Sequence, residues 1–199
     1  MSRPIHSTSI AEPELFPAPR LAPGGFQYRP NFIDEAEEAA LAIRLGELPF
    51  EPFDFHRHLA NRRVAGFGLR YDYGRREVVP APPLPNWLTP LREKVGRFAG
   101  RPAHDFVQVL INEYRPGAGI GWHKDKPAFG EVVGVSLLAS CTLRFRRKTG
   151  AKWERHSSTV EPRSAYLLSG PSRSIWEHSV PPLDRPRYSI TFRTLADRR

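Results

Sequence analysis

The sequence predicts a mainly β protein with flanking helices, of the α+β class, whose strands form a sandwich or a jelly roll. Three observations indicate this class. Six short segments after residue 105 are apolar or alternate in polarity, and turn residues such as Pro116-Gly117 and Gly170-Pro171 separate them. Two segments before residue 106 have the apolar spacing of a helix. Proline, at 21 of 199 residues, is about twice as frequent as its usual ~5 %, which is typical of a chain rich in loops.

The N-terminal region is predicted to be irregular. Residues 1–30 contain six prolines and no repeated apolar spacing. A chain of 199 residues is long enough for one domain with a sizeable core but short for two. We therefore expect an irregular Pro-rich tail over 1–30 and a single domain over 31–199. Within that domain, 31–105 is expected to supply a lid and supporting helices, and 106–199 the jelly-roll core.

Two helices are predicted between the tail and the strands. The first follows Asp34, an N-cap residue with acidic residues in the turn after it. Its apolar positions near helical spacing are Ala36, Ala39, Ala40, Ile43 and Leu45. The second follows Asn86, and its apolar stripe contains Trp87, Leu88, Leu91, Val95 and Phe98.

The predicted strands follow the second helix. They read FVQVLINEY, EVVGVSLLAS, CTLRFRR, RSAYLLSG, SIWEHSV and RYSITFR. Several short strands with turn signals between them favour a sandwich or a jelly roll. The glycines of GAGIG lack both the spacing and the following helix of a phosphate-binding loop, so the sequence argues against a nucleotide-cofactor fold.

The net charge of +9 is concentrated in two blocks. Residues 61–110 carry nine Lys and Arg against four Asp and Glu, and residues 141–199 carry 13 against five. Such basic surfaces attract polyanions, of which nucleic acid is the commonest, although a solubility charge explains the excess equally well.

The remaining composition bears on location. A single Cys141 excludes an internal disulfide and favours a reducing compartment. No run approaches the ~18 apolar residues of a membrane span, and the N-terminal region lacks the apolar core of a signal peptide. We expect a cytoplasmic protein with no membrane association and no obligate protein partner.

The stretch NEYRPGAGIGWHKD contains a candidate metal site. His123 and Asp125 are two residues apart, so on an extended chain their side chains point to the same side. His178 is the only later histidine on an apolar strand, whereas His156 lies in a polar hairpin. Two histidines and one carboxylate with open positions opposite are the ligands of non-haem Fe(II) oxygenases. A zinc hydrolase could use the same three ligands.

The last predicted strand contains a candidate anion site. Alternation along RYSITFR places on one face Arg187, Ser189, Thr191 and Arg193. The Cα atoms of the two arginines are about 20 Å apart on an extended strand, so their long side chains could hold a small dicarboxylate between them. Asn112 and Tyr114, also two residues apart, would add neutral polar contacts. The alternative is a pair of exposed arginines at the rim of the sheet.

These patterns together resemble the AlkB family of Fe(II)/2-oxoglutarate dioxygenases. The resemblance rests on N-x-Y-x-P-G, then H-x-D nine residues after the tyrosine, a later histidine and a final R-x-x-x-x-x-R strand, and it covers about residues 62–193. GPSRSIWEH and RRVAGFG are closer to the AlkB-type domain of the tRNA wobble-uridine hydroxylase than to the bacterial repair enzyme.

The resemblance implies a double-stranded β-helix (jelly roll) and a set of ligands. Fe(II) would be bound by His123, Asp125 and His178, and 2-oxoglutarate by Asn112, Tyr114, Arg187 and Arg193. Dioxygen would be the second cosubstrate, and 2-oxoglutarate would be converted to succinate and CO2. Paired arginines would be unexplained in a zinc hydrolase.

The activity implied by the resemblance is oxidative demethylation of alkylated nucleic-acid bases, as in the repair of DNA or RNA alkylation damage. A base reaches such a site only when it is unpaired or flipped, which requires aromatic and basic residues around the opening. The segment RRVAGFGLRYDYGRR supplies the candidates for this lid, Arg62, Arg63, Phe67, Tyr71 and Tyr73. They could equally form an ordinary hairpin at the edge of the sheet.

Two alternative functions stay open at this point. The first is an AlkB-type hydroxylase that acts on modified tRNA, a protein side chain or a small metabolite. The second is a non-catalytic jelly-roll binding module, which the presence of all three metal-ligand candidates argues against.

Overall fold

The structure, a computed structural model, describes residues 22–55 and 58–197. These residues form three α-helices and twelve strands. The helices are α1 (Glu35–Gly46), α2 (Thr89–Ala99) and α3 (Gly170–Ser174). The first six strands are β1 (Phe26–Arg29), β2 (Glu51–Phe55), β3 (His58–Asp72), β4 (Glu77–Pro80), β5 (Phe106–Tyr114) and β6 (Ile120–His123). The remaining six are β7 (Phe129–Leu137), β8 (Cys141–Thr149), β9 (Lys152–Val160), β10 (Ala165–Leu168), β11 (Glu177–Val180) and β12 (Arg187–Leu195).

The strands form two antiparallel sheets. The large sheet has the order β1-β10-β7-β12-β5-β3-β2, and β4 extends it by pairing with β3. The small sheet has the order β6-β11-β8-β9. Neighbouring strands in each sheet are mostly distant in sequence, which is the connectivity of a jelly roll. The prediction of a mainly β jelly roll with flanking helices is confirmed.

The helices α1 and α2 cover one face of the large sheet. Asp34 caps α1 as predicted, because its carboxylate accepts from the Glu37 backbone while the Glu37 side chain accepts from the Asp34 backbone. The buried residues of α1 are Leu41 and Leu45, and Ile43 is 67 % exposed. The predicted stripe was correct at Leu45 but wrong at Ile43, because the buried Leu41 and Leu45 are four residues apart and Ile43 points away from both.

The second face of the large sheet packs against the small sheet. Alternation along β12 sends Ile190 and Phe192 into the core beneath the helices, and Arg187 and Arg193 to the opposite face. The apolar part of the space between the sheets includes Phe145 of β8 and Tyr166 of β10. Arg187 and Arg193 therefore lie on the same side of the large sheet as the apolar cluster that contains Phe145 and Tyr166.

Two predicted boundaries were wrong. The predicted irregular tail over 1–30 contains a strand, β1, in which Tyr28 is in register with Tyr166 at the edge of the large sheet. The free backbone groups of β10 stabilise this strand although its sequence has little periodicity. Residues 1–21 lie outside the described residues.

The division between 31–105 and 106–199 is also not a structural boundary. Strand β3 pairs with β5 from Arg62 opposite Tyr114 to Gly68 opposite Gln108, so a segment assigned to the lid is part of the core sheet. None of the helices in the described part of the chain is long and apolar enough to cross a membrane.

Gly68 is the point at which β3 leaves the core sheet. Before it β3 pairs with β5, and after it, from Leu69 opposite Pro80, β3 pairs with β4. Gly68 has a φ of +77°, and an added Cβ would lie 2.1 Å from the carbonyl oxygen of Val107. Only glycine fits such a conformation and contact.

We expect Gly68→Ala to lower the free energy of unfolding by at least ~1 to 3 kcal/mol, from backbone strain alone, measured by urea denaturation. Gly66→Ala is the matched control, because its added Cβ would meet only the Leu110 side chain at 3.9 Å. Equal stability of the two variants would show that the bend does not require glycine.

Candidate functional site

Strand β12 is the centre of the site, because it pairs with β5 on one side and β7 on the other. Arg187 is in register with Tyr114, and Ser189 with Asn112. Residues in register share a face of the sheet, so these side chains point together into the space between the sheets. Arg187 is 2 % exposed, and Asn112 and Tyr114 are 4 % exposed. The structure thus brings together three of the four residues predicted to bind a dicarboxylate.

The three predicted metal ligands also lie together. His123 of β6 is in register with His178 of β11, and their ring centroids are 4.2 Å apart. Asp125 follows β6, and its Oδ2 lies 3.7 Å from Nε2 of His178. Residues 55 positions apart in the sequence are adjacent because β11 pairs with β6 in the small sheet.

The three side chains are not arranged as a complete set of metal ligands. Among the described residues no group of three His, Cys, Asp or Glu side chains has ligand geometry. Arg193 donates two hydrogen bonds to one oxygen of the Asp125 carboxylate. Its Nη2 lies 2.9 Å and its Nε 3.2 Å from Oδ1. The other oxygen, Oδ2, lies 3.7 Å from His178 Nε2.

Burial and neighbouring charges set the protonation of this group. Burial, together with the neighbouring His123, lowers the pKa of His178 to about 3. Burial also lowers the pKa of His123. Burial by itself would raise the pKa of Asp125, but the surrounding positive charges, Arg193 foremost, hold that pKa well below its usual range. At neutral pH the group therefore consists of two neutral imidazoles and one carboxylate, the forms that bind metal ions.

The ring of His123 is oriented by the backbone. Its Nδ1 lies 2.9 Å from the carbonyl oxygen of Gly121. A carbonyl can only accept, so this contact places the proton on Nδ1 and leaves the lone pair on Nε2. An outer hydrogen bond of this kind is typical of metal-binding histidines.

Arg187 is a buried cation that has a hydrogen-bond partner but, within the described part of the chain, no carboxylate partner. Its Nε donates to Ser136 Oγ at 3.0 Å, and its guanidinium lies 5.1 Å from the centre of the Tyr114 ring. Within the described part of the chain no ion pair joins Arg187 to a carboxylate. Arg193 differs, because its carboxylate partner is Asp125 of the same chain. The two arginines predicted to act alike therefore have different surroundings.

Two polar residues near Arg187, Ser136 and Tyr166, were not predicted from the sequence. Ser136 holds its Nε, and Tyr166 lies nearby with its ring against Gly134, where an added Cβ would be 2.2 Å from the ring. Burial raises the pKa of Tyr166 to about 12, so its phenol is neutral. The amide oxygen of Asn112 is buried without a hydrogen-bond partner among the described residues. Tyr166 was missed because it lies in the continuous apolar run AYLL, in which no alternation distinguishes one face.

The predicted lid residues divide between two faces of β3. Arg62 is buried, is in register with Tyr114 and points to the site. Arg63, one residue later, points to the helical side, where it pairs with Glu113 at 2.5 Å and lies over the Phe50 ring. Phe67 packs against the core beneath the helices. The prediction that Arg63 and Phe67 line the opening was wrong, because alternate strand residues face opposite ways.

The two predicted lid tyrosines lie beside the loop that carries Asp125. Tyr71 and Tyr73, on the β3–β4 hairpin, are in edge contact with ring centroids 5.4 Å apart. Lys126 Nζ lies 4.5 Å from the Tyr73 ring and 5.3 Å from the Tyr71 ring. Tyr73 is 50 % exposed. The hairpin and Lys126 therefore form one edge of the candidate metal site, and this edge is called the opening below.

Arg173 was not recognised from the sequence either. It lies on α3, in GPSRS, and binds the loop after Asp125 through backbone carbonyl oxygens alone. Its Nη2 donates to Phe129 at 2.6 Å and to Lys126 at 2.7 Å, its Nε to Gly130 at 2.7 Å, and its Nη1 to Asp125 at 3.3 Å. One guanidinium thus holds the shape of the 125–130 loop.

We expect Arg173→Lys to loosen this loop, because one ammonium group cannot reach carbonyl groups that the guanidinium contacts with three nitrogens. Amide exchange in residues 125–130 should quicken, and the free energy of unfolding should fall by about 1 to 3 kcal/mol. Arg97→Lys, at an exposed position of α2, is the control. Unchanged exchange in the loop would contradict the role assigned to Arg173.

The comparison with known proteins agrees with this geometry. The family model of the 2OG-Fe(II) oxygenase superfamily matches residues 25–193. The "Alkylated DNA repair protein ALKBH8 homolog" of Arabidopsis thaliana is 29 % identical over 179 residues, which cover 76 % of this chain and 49 % of that protein. The "Probable RNA/DNA demethylase ALKBH6" of Danio rerio is 35 % identical over 151 residues, which cover 74 % of this chain and 60 % of that protein. The chain therefore spans about half of the first of these relatives and about three fifths of the second.

A solved structure has the same fold. The structure of OsALKBH1 superposes with a TM-score of 0.63 at 18 % identity and covers 89 % of this chain and 100 % of that chain. The resemblance to the AlkB family is confirmed by these matches. The chain belongs to the 2OG-Fe(II) oxygenase superfamily, whose members are dioxygenases that use Fe(II), 2-oxoglutarate and dioxygen, and it resembles the AlkB members of that superfamily.

Proposed function

We propose that this dioxygenase removes alkyl groups from bases of single-stranded or flipped nucleic acid. His123, Asp125 and His178 would bind Fe(II), and Asn112, Tyr114, Arg187 and Arg193 would bind or border 2-oxoglutarate. Tyr71, Tyr73 and Arg62 would meet the substrate base. The observation that carries the site assignment is the burial of Arg187, a cation without a carboxylate partner in the described chain, in the same inter-sheet space as the His123–Asp125–His178 group.

The residues fit an iron ion in their chemistry. The two imidazoles are neutral, Asp125 is ionised, and Nε2 of His123 is left free of the proton. Nδ1 of His178 is buried and has no hydrogen-bond partner among the described residues, which an inert core histidine would not tolerate well. Two histidines and one carboxylate leave three positions of an octahedral ion open for cosubstrate and dioxygen.

The residues around Arg187 fit one end of 2-oxoglutarate. A buried guanidinium is costly unless an anion pairs with it, and a carboxylate fits its planar fork. The Tyr114 ring and Ser136 hold the guanidinium in place, so its remaining N–H groups keep a fixed direction. The Asn112 amide would satisfy its own polar atoms on the same ligand. Tyr166, neutral at all physiological pH values, would close the apolar side of this space.

The role of Arg193 follows from its partner. By pairing with Asp125 Oδ1 it keeps the carboxylate ionised and leaves Oδ2 directed toward His178. It also donates to Thr191 at 3.0 Å, so its own position is fixed by β12. Arg193 would therefore orient the metal ligand and balance its charge.

The proposed reaction is balanced by the cosubstrates. Bound iron would activate dioxygen, which is the oxidant, so that one of its oxygen atoms enters a C–H bond of the substrate while the other enters succinate as 2-oxoglutarate loses CO2. A methyl group on a base nitrogen becomes hydroxymethyl, and its C–N bond then breaks to give formaldehyde and the unmodified base. The chain would position the reactants and limit access of water on the side of the site where Asn112, Tyr114, Ser136, Arg187 and Arg193 are buried.

Nucleic acid is the substrate class that the opening supports best. Two tyrosine rings and Lys126 lie at its rim, and Arg62 lies below them. Aromatic rings stack on unpaired bases, and lysine and arginine attract phosphates. The relatives carry names that refer to alkylated DNA and to RNA/DNA demethylation, which supports the same class. A hydroxylase of modified tRNA would use the same opening.

We expect Arg187→Lys to raise the KM for 2-oxoglutarate at least about tenfold with a smaller effect on kcat, because lysine keeps the charge but loses the bidentate fork. The measurement is Fe(II)-dependent succinate formation at varied 2-oxoglutarate. Arg185→Lys, at an exposed position before the same strand, is the control. An unchanged KM would remove Arg187 from the cosubstrate site.

The substrate is tested with single-stranded DNA and RNA oligonucleotides that carry 1-methyladenine or 3-methylcytosine. We expect formaldehyde and unmodified base from at least one of them, and succinate formation above the level with unmodified oligonucleotides. His178→Ala should give neither product, since it removes a proposed iron ligand.

The contrary outcomes are distinct. Turnover of 2-oxoglutarate that no methylated oligonucleotide stimulates would reject base demethylation and favour a modified tRNA, a peptide or a metabolite as substrate. Succinate formation by His178→Ala at the full rate would reject the metal site itself.

A further inference from the structure

We propose that the outer face of the small sheet is a second contact surface for nucleic acid, which guides a single strand toward the opening. The surface, here called the Arg–Trp face, consists of Trp122, Arg144, Arg146, Trp153 and Arg155. This inference rests on the proposed function, because it names the surface by which the same substrate would be held. The face lies on the opposite side of the small sheet from His123 and His178.

Strand alternation generates the face. Leu143 and Phe145 of β8 are buried between the sheets, so Arg144 and Arg146 point outward. On β9, Arg155 is in register with Arg146, and Trp153 with Lys148. On β6, Trp122 precedes the inward His123 and points outward. The residues of the face therefore come from three strands of one sheet.

The arginines and indoles of the face are stacked. The Arg146 guanidinium lies 4.5 Å from the Trp122 ring and 4.4 Å from the Trp153 ring, so it lies between the two indoles. Arg144 lies 5.1 Å from the Trp122 ring and donates to Ser179 at 3.1 Å. Glu177 accepts from Arg146 at 2.5 Å. These contacts fix the side chains before any ligand binds, which reduces the entropy lost on binding.

The charge of the face suits a polyanion. Outward positions of the sheet carry four cations, Arg144, Arg146, Lys148 and Arg155. Glu177 is the only carboxylate at an outward position among the described residues of this sheet. Phosphate groups would neutralise the three cations that Glu177 leaves over.

Charge alone does not explain the exposed tryptophan. Strand β9 is an edge strand, and charged residues on edge strands normally protect against unwanted pairing. That explanation accounts for Arg155 but not for Trp153, which is 41 % exposed on the same strand. Rings that alternate with cations are what a single strand needs, because it presents bases as well as phosphates. An acidic peptide would use the cations but not the rings.

The end of the face at Trp122 leads along the chain into the loop that contains Lys124 and Lys126. Lys124 is exposed and lies two residues after Trp122, and Lys126 reaches the rings of Tyr71 and Tyr73. From β9 to β6 the sheet has three strand spacings, about 14 Å. At ~3.4 Å per nucleotide along a stacked strand this distance accommodates about four nucleotides. A strand that crosses the face from β9 to β6 would end beside the loop that contains Lys124 and Lys126.

The test is the binding of a fluorescein-labelled 15-nucleotide oligouridylate, measured by fluorescence anisotropy at several salt concentrations. We expect Trp153→Ala to weaken binding about tenfold through lost stacking. Arg155→Ala should reduce the slope of log K against log salt by about 0.7, the contribution of one phosphate. Arg97→Ala, at an exposed position of α2, is the matched charge control and should change neither quantity. Thermal unfolding of each variant checks that the fold is intact.

Three outcomes would overturn the inference. If both variants bind as the unchanged protein does, while that protein still demethylates an oligonucleotide, the proposed function stands and the face has no part in it. If polyglutamate displaces the oligonucleotide at equal charge concentration, the face attracts anions without contacting bases. If the unchanged protein binds no oligonucleotide at any salt concentration, the nucleic-acid substrate itself is rejected.

Discussion

The ion pair between Arg193 and Asp125 is the interaction on which the arrangement of the site depends. Arg193 belongs to the central strand of the large sheet, and Asp125 to the loop that leaves the small sheet. Both are nearly buried, so each charge would be costly without the other. The pair therefore connects the loop after β6 to the central strand of the large sheet. It also sets the charge of the carboxylate that faces the histidines.

Strand β12 carries both ends of the proposed cosubstrate site because its register is fixed on both sides. Strands β5 and β7 pair with it over most of its length, and a slip of one residue would turn Arg187 and Arg193 into the apolar core beneath the helices. Ile190 and Phe192 prevent such a slip, since they fill that core. The same alternation that buries the apolar residues therefore positions the arginines. The register of β12 therefore determines both the packing of the core and the positions of the two arginines.

The sequence was sufficient for features that depend on local pattern. The mainly β fold, the capped first helix and the proximity of His123, Asp125 and His178 could all be predicted, because period-two alternation, N-cap chemistry and the resemblance to AlkB bear on them directly. The faces of β3 could not, since Arg62 and Arg63 are chemically equivalent and only the pairing with β5 decides which one points to the site. Tyr166 and Arg173 were missed for a related reason. Their roles come from contacts with residues far away in the sequence, at Gly134 and in the 125–130 loop.

The bend at Gly68 divides β3 into two parts that pair with different strands. Its first part lies in the core sheet with Arg62 beside Tyr114, and its last part forms the hairpin that carries Tyr71. Residues beyond the bend pair with β4 alone, so the hairpin can change in length or composition without altering a single hydrogen bond of the core sheet. A fold built in this way can acquire a new substrate opening while its metal and cosubstrate residues stay in register. Differences in substrate between such proteins would then depend mainly on the hairpin residues that follow this one glycine.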